Sequence, residues 1–425
     1  MSAHTFARLR RIVHFFGIGV LDQVLLSGAS FVAGFVMIRY TNDVAYGQFV
    51  LAQSAILLAL SAQGAWLSGP ANAIAPKKTP EDRRLMIGSL AASQTRLLRR
   101  VTPALLLVPL AGYLVGLSNA IDAIVIATTI LACWVALERQ YLRTVLLIYS
   151  RPAWMLRTDI FYIIVWLAGI GFAVLNSHAA GAWAVGSLIA AGWVGAISAR
   201  RMLAVDPGWI AGNARPFWQE LRPLGLWAAL GAVIYWLFAQ SYNYVLATRL
   251  DLTAVADVNA ARLVLMPIFV FTTGINNLLL PVAANWLAES GLRRMLQKLA
   301  ALAAAILAID LFYFGAAWRL RHWLIVDLMH KTIADQDRLL ILWAGVAVIF
   351  LLREVIQAPL FALNRVRSMA WMIGISAALS LTVMWRGIGT WGAAAVLIGQ
   401  IVGECVNLAG LSWLLWKQAQ VKPLR

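Results

Sequence analysis

Apolar residues in this chain come in long unbroken blocks, neither the strict alternation of half-buried strands nor the narrow stripe of a soluble helix. A helix needs roughly 20 mostly apolar residues to cross a hydrocarbon layer about 30 Å thick, because it rises about 1.5 Å per residue. About twelve blocks meet that requirement. The first six run Phe15–Ile38, Gly47–Pro70, Val101–Leu117, Ile121–Ala136, Asp159–Leu175 and Gly181–Ala199. The others run Pro223–Ala247, Val255–Leu287, Met295–Trp318, Leu339–Leu363, Ser368–Trp385 and Trp391–Trp416. Short alternating segments of roughly ten residues, the pattern of a membrane barrel, do not occur. The expected class is an all-α integral membrane protein. Leu90–Arg100 reads as a basic amphipathic helix on the membrane surface. Asp206–Arg222, with Pro207, Gly208, Gly212 and Pro216, reads as a cytoplasmic linker. It separates an N-terminal lobe, 1–205, from a C-terminal lobe, 223–425, with half of the spans in each.

Composition supports the membrane assignment: 62% of residues are hydrophobic and 12% charged, against about 25% charged in soluble domains. A net charge of +17 would suggest nucleic acid in a soluble chain. Here it follows the positive-inside rule, and no nucleic-acid role is expected. With the N-terminus in the cytoplasm, the inward connections hold Lys77, Lys78, Arg83 and Arg84, then Arg139, Arg143, Arg151 and Arg157, then Arg200 and Arg201. The tail carries Lys417, Lys422 and Arg425, so both termini are expected inside. One outward loop breaks the pattern, with Arg319, Arg321, Lys331 and Arg338. Cys133 and Cys405 lie in apolar stretches and form neither a metal spacing nor a disulfide framework. Arg8, Arg10 and Arg11 precede an apolar run longer than a signal-peptide core, so a retained first helix is expected.

The two halves echo each other. "SFVAGFVMIRYTNDVAYGQFVLAQ" from Ser30 and "SYNYVLATRLDLTAVADVNAAR" from Ser241 each hold a span, an arginine at its outer end, a polar turn and a new span. Arg39 and Arg249 take equivalent places. Internal repeats of this kind are common in secondary transporters.

The first hairpin, with Arg-Tyr closing a span and Tyr-Gly after the turn, resembles that of polysaccharide flippases. The second, "LATRLDLTAVADVNAARLVLMPIFVFTTGINNLLLPVAA", resembles the matching hairpin of their second half, in its Ala-Ala-Arg run and later Leu-Pro. The family is the O-antigen and exopolysaccharide (Wzx-type) translocases of the MOP superfamily, which also holds MATE drug exporters and lipid II flippases. The likeness covers the chain in layout and the two hairpins at residue level. It implies two six-helix bundles in a V within the bacterial inner membrane. It implies movement of a polyprenyl-diphosphate-linked oligosaccharide to the periplasmic leaflet by alternating access, with no catalytic residue and no cofactor. It also implies a monomer among membrane lipid that touches a polysaccharide polymerase and a chain-length regulator. Asp257 stands where the first hairpin has Gly47, so the repeat is imperfect.

Charges at mid-membrane cost at least about 2.5 kcal/mol and face a partner or a wet cavity. "FLLREVIQAPLF", Phe350 to Phe361, holds Arg353 and Glu354 in such a place. Arg353, Gln357 and Asn364 share a helix face, and Glu354 borders it. Adjacent residues on a helix do not face each other, so a self-contained Arg353–Glu354 pair is not expected. Cavity lining, a bond to a neighbouring helix and snorkelling stay open for Arg353. Trp236, Gln240 and Asn243 line span 7, and Gln23, Ser27, Ser30 and Gly34 line span 1 beside Asp22. Packing and cavity lining both suit these stripes. Asp310 and Glu404 are expected as interhelical partners.

A diphosphate needs fixed positive charge, which arginine supplies with paired donors. Arg262 and Arg353 are the expected diphosphate contacts, and the amides of Gln23, Gln240, Asn243 and Gln357 suit sugar hydroxyls. Arg39 and Arg249 sit at the outer mouth, as anchors or contacts. Asp22 and Glu354 are candidates for coupling to a proton gradient, with sodium also open. Two other functions remain. A MATE-like exporter of cations coupled to protons or sodium requires an acidic cavity. A membrane-embedded polysaccharide enzyme would draw on His322 and His330 in the outward loop. No Gly-rich Lys-Ser/Thr loop appears, which speaks against nucleotide hydrolysis.

Overall fold

Twelve stretches of helix in the described part of the chain are long and apolar enough to cross a membrane. The computed structural model describes residues 3–204, 209–210, 212–333, 335–363 and 365–420. Asn364, Asp206, Pro207, Gly208, Lys422 and Arg425 lie outside these residues. Large apolar side chains such as Leu117, Leu175 and Phe312 stand exposed, which a protein tolerates where lipid replaces water. Both cysteines are free.

The chain divides into two compact units, Met1–Val233 and Ile234–Arg425. The first contains α1 (Ala3–Tyr40), α2 (Asp43–Gln63), α3 (Gly69–Ile74), α4 (Pro80–Leu114), α5 (Ala120–Ile148), α6 (Pro152–Leu175), α7 (Ala180–Leu203) and the start of α8 (Arg215–Arg249). A single π-helical stretch, Gly64–Ser68, joins α2 to α3. Helix α7 packs against α5 and α6, and α1 against α6. Small residues allow the approach: a Cβ on Gly192 would sit 2.6 Å from Val135 Cγ1. Side-chain caps start the helices, with Asn42 accepting from the Ala45 amide, Thr79 from Asp82 and Asn119 from Asp122.

The second unit contains the rest of α8, then α9 (Leu252–Arg319), α10 (Gln336–Ala362), α11 (Val366–Trp391) and α12 (Ala394–Gln420). Helix α9 holds two spans, Leu252–Thr272 and Glu289–Arg319. Gly291 breaks its direction at φ 74°, ψ 171°, a conformation that favours glycine. Helix α10 packs on α9 and α12, and α11 on α12. A Cβ on Gly403 of α12 would lie 2.5 Å from a Phe238 ring carbon and 2.8 Å from Ser380 Cβ. Gly403→Ala is therefore expected to wedge α12 from α11 at a cost of about 1–3 kcal/mol. A lowered unfolding midpoint in detergent checks this, and an unchanged midpoint would show that the contact gives way freely.

The expected surface helix at Leu90–Arg100 is not separate. It is the middle of α4, which runs straight on through Pro103 and Pro109. The expected span ending at Ala136 continues as helix to Ile148, because the charges that ended the apolar block find partners inside the unit. The latter part of the segment read as a linker is helical from Arg215 and is pinned to the first unit. Gly212 N donates to Ser89 Oγ at 3.0 Å, Trp218 Nε1 to Ser93 Oγ at 3.0 Å, and Lys78 pairs with Glu220 at 2.8 Å.

The echoed hairpins match in local detail. Helix α1 ends just after Arg39 and Asn42 caps α2, while α8 ends at Arg249 and Asp251 caps α9 through the Ala254 amide. Each arginine lies over an aromatic ring, Arg39 over Tyr40 and Arg249 over Trp385. In the loop that broke the charge pattern, Arg321 pairs with Asp337 at 2.7 Å and Lys331 with Asp257 at 3.8 Å. Burial pushes Lys331 down to about 8. Part of that loop's positive charge is thus neutralised locally.

Candidate functional site

Buried polar side chains form three networks among the described residues that bear on function, one in the first unit and two in the second. In the first unit Asp22 of α1, buried, accepts from Arg143 Nη2 of α5 at 2.7 Å. Arg143 Nε donates to Asp159 of α6 at 2.8 Å, and Arg139 of α5 donates to the other oxygen of Asp159. Two arginines one helical turn apart thus hold two carboxylates from different helices, with balanced charge. The Arg139 guanidinium also lies 3.7 Å from the centre of the Tyr162 ring. Nearby, Glu138 pairs with Arg200 at 2.7 Å. Arg139 and Arg143 were expected in an inward connection. They lie on α5 instead, paired with carboxylates of α1 and α6.

In the second unit Arg353 is 1% exposed. Its Nη2 lies 2.8 Å from Glu354 Oε1, its Nε lies 2.7 Å from Glu404 Oε2 of α12, and its Nη1 donates to Gln357 Oε1 at 3.1 Å. The contact with Glu404 is ionic and off the hydrogen-bond line. Neighbours Arg353 and Glu354 do meet, although not as a self-contained pair, because Glu404 and Gln357 share the guanidinium. Flexible side chains swing together where no water competes for either charge. Glu404 spans two helices, as expected. Asp310 does not: it is 3% exposed, and its carboxylate oxygens have no hydrogen-bond partner among the described residues.

The third place is a hydrogen-bonded row on α8 and α9. Arg262 Nη1 donates to Tyr242 Oη at 3.2 Å, and Tyr242 donates to Asn259 Oδ1 at 3.0 Å. Asn259 Nδ2 donates to Asn243 Oδ1 at 2.7 Å, and Asn243 Nδ2 to Gln240 Oε1 at 3.3 Å. Arg262 lies over Trp343 at 5.6 Å and Phe269 at 6.0 Å. Three residues singled out from the sequence, Gln240, Asn243 and Arg262, therefore belong to one array. Gln23 is exposed and donates to Ser27 Oγ at 3.4 Å. Among the described residues no group of three or more His, Cys, Asp or Glu could hold a metal ion.

Sequence reasoning missed Asp159, Glu138 and the linking residues Tyr242 and Asn259. The signal for the first two was present: Glu138, Arg139 and Arg143 fall at helical spacing, and Asp159 opens the next apolar run.

No family model and no curated protein matches the chain. Solved structures do. A multidrug-resistance MATE transporter of the MOP superfamily, inward-facing, aligns with TM-score 0.77 at 12% identity, over 94% of this chain and 96% of its own. The lipid II flippase MurJ, in an inward closed conformation, aligns with TM-score 0.74 at 11% identity, over 95% and 87%. A mutant of the Vibrio cholerae MATE transporter VcmN gives 0.61 at 16%, over 98% of each chain. This chain has the fold of the MOP-superfamily transporters. The MOP fold joins the apolar helices in describing a multi-pass membrane protein. At these identities the likeness concerns the fold alone, and the cargo has to be argued from side chains.

Proposed function

We propose that this MOP-fold protein flips a polyprenyl-diphosphate-linked oligosaccharide from the cytoplasmic to the periplasmic leaflet of a bacterial inner membrane. It does so by alternating access, for surface polysaccharide or exopolysaccharide synthesis, with both termini in the cytoplasm. It is a transporter rather than an enzyme. The observation that carries this reading is the row from Gln240 to Arg262. Tyr242, Asn243 and Asn259 are buried and hold its half-buried ends, Gln240 and Arg262, in place; an amide such as that of Gln240, which both donates and accepts, suits a sugar hydroxyl. A permanent guanidinium at the end of the row suits a phosphate oxygen. Phe269, half-buried beside it, offers a ring to a sugar, while buried Trp343 backs the guanidinium.

Arg353 takes a conditional part. With Glu354 and Glu404 both ionised it is fully engaged. A proton on Glu354 releases one side of the guanidinium for an anionic head group, with Gln357 beside it. Asp22 plays the matching part in the first unit, where its protonation loosens Arg143. Arg39 and Arg249 attract the head group at the mouth. In reconstituted vesicles, Asp22→Asn and Glu354→Gln are expected to keep cargo binding but lose stimulation by a proton gradient. Full rates with unchanged pH dependence in both variants would rule out coupling through these groups.

A second reading, a MATE-like exporter of cationic small molecules, draws on the same cluster. Two glutamates face one arginine there, leaving negative charge that would attract a cation. The MATE transporters among the similar structures support it equally at the level of fold. The two readings differ in the sign of the cargo, which an assay with both cargoes resolves.

A further inference from the structure

The first unit contains a cavity of about 920 Å³ that none of the clusters above uses. It is built from faces of four helices, α2, α4, α5 and α8, and the π-helical stretch. Helix α8 contributes Arg215, Trp218, Gln219 and Arg222. Their i, i+3, i+4, i+7 spacing sets them on one side of its first two turns. The opposite walls come from Gln63 at the end of α2, Trp66 in the π-helical stretch, and Gln94 and Leu97 on α4. The π-helical stretch shifts the register after Gln63, and such insertions concentrate at functional places. It brings Trp66 onto Trp218, with ring centres 6.1 Å apart and planes 28° from parallel. Gly225 makes this packing possible, since a Cβ there would lie 2.4 Å from the Trp66 carbonyl oxygen.

The polar floor is also fixed. Gln63 Nε2 donates to Gln94 Oε1 at 3.0 Å and to the Leu137 carbonyl at 2.8 Å, and Gln94 Nε2 donates to the same carbonyl at 3.2 Å. Gln63 Oε1 is shielded and accepts no hydrogen bond among the described residues. Gln219, exposed on the same face of α8 as the two arginines, offers an amide to a hydroxyl. Arg215 and Arg222 are exposed at the rim. Leu97 at the wall is 61% exposed and continues along α4 into exposed Val101 and Leu105. The cavity therefore runs from two guanidinium groups, past an amide floor, onto an apolar helix face.

We propose that this cavity binds an anionic membrane phospholipid with a hydroxylated head group, of the phosphatidylglycerol type. Its phosphate lies between Arg215 and Arg222, a head-group hydroxyl donates to Gln219 Oε1, and its chains lie along Leu97 and the α4 surface. Basic pockets beside membrane helices recognise anionic lipids in this way. The volume suits a head group and glycerol backbone, at the upper end of the range for small-ligand sites. The assignment is independent of which cargo the protein carries.

The test uses the purified full-length protein, stripped of lipid in mild detergent. It is titrated with phosphatidylglycerol, phosphatidic acid, phosphatidylcholine or undecaprenyl diphosphate, and bound lipid is counted by native mass spectrometry. Phosphatidylglycerol is expected to bind tighter than phosphatidylcholine. Arg215→Gln with Arg222→Gln is expected to weaken it about tenfold or more, with no change in the lipid-free unfolding midpoint. Gln219→Leu is expected to weaken phosphatidylglycerol while leaving phosphatidic acid, which lacks the extra hydroxyls, unaffected. Equal binding by the double variant, or equal binding of phosphatidylcholine, overturns the proposal. So does undecaprenyl diphosphate displacing phosphatidylglycerol from the arginine site at lower concentration, which would give the cavity to the cargo instead.

Discussion

Arg353→Met is expected to destabilise the second unit by about 3–5 kcal/mol, the usual cost of removing one partner from a buried ion pair. The guanidinium is 1% exposed and stands between Glu354 and Glu404. Methionine fills much of the volume, so the loss is electrostatic rather than a cavity effect. It leaves two carboxylates close together, with no cation and no water to share. The expected readout is a large fall in unfolding midpoint. Adding Glu354→Gln and Glu404→Gln to the same protein is expected to restore most of the stability, because replacing a whole buried ionic group is often nearly neutral. That rescue separates charge imbalance from lost packing. A midpoint within about 1 kcal/mol of wild type for Arg353→Met alone, the ordinary size of a point substitution, would mean that water already reaches the cluster.

The second large effect is expected at Arg143→Ala in the first unit. Arg143 joins three helices, through Asp22 of α1 and Asp159 of α6. Arg139 still holds Asp159 in the variant, so the loss should be smaller than at Arg353, about 2–3 kcal/mol. Its distribution is the more telling result. Helix α1 packs chiefly on α6, and losing the polar tie should speed amide exchange along α1 well before the unit unfolds. Asp22→Asn added to Arg143→Ala is expected to slow that exchange again. If exchange rises evenly over α1, α5 and α6 instead, the cluster acts as general packing and not as a tie.

The sequence makes the fold legible where apolar blocks are long, and it fails where charges interrupt them. Span 4 was cut at Ala136 because Glu138, Arg139 and Arg143 lower the local hydropathy. In the fold they are neutralised by Arg200, Asp159 and Asp22. An ionic cluster inside a membrane protein looks, in one dimension, like a loop. The error at Leu90–Arg100 has the same root, since Arg96, Arg99 and Arg100 lie on α4 itself. For the site, spacing along one helix was informative. It grouped Gln240 with Asn243, and Arg353 with Gln357, and both pairs are hydrogen bonded. Partners on other helices, such as Asp159 for Arg139 or Asn259 for Asn243, depend on packing that periodicity does not encode. The cavity under α8 was hidden for a further reason. The helical face that lines it begins in a stretch whose Pro and Gly content signals a linker.

The sign and size of the cargo are the centre of the account. The most direct measurement reconstitutes the protein in vesicles with a fluorescent polyprenyl-diphosphate oligosaccharide and adds a membrane-impermeant quencher. A parallel set is loaded with a fluorescent organic cation. The account predicts that label from both leaflets becomes quenchable with wild type, only the outer leaflet's label with Arg262→Ala, and that the cation stays where it was loaded. Label confined to the outer leaflet with wild type, together with gradient-driven movement of the cation, would contradict it and assign the protein to drug export.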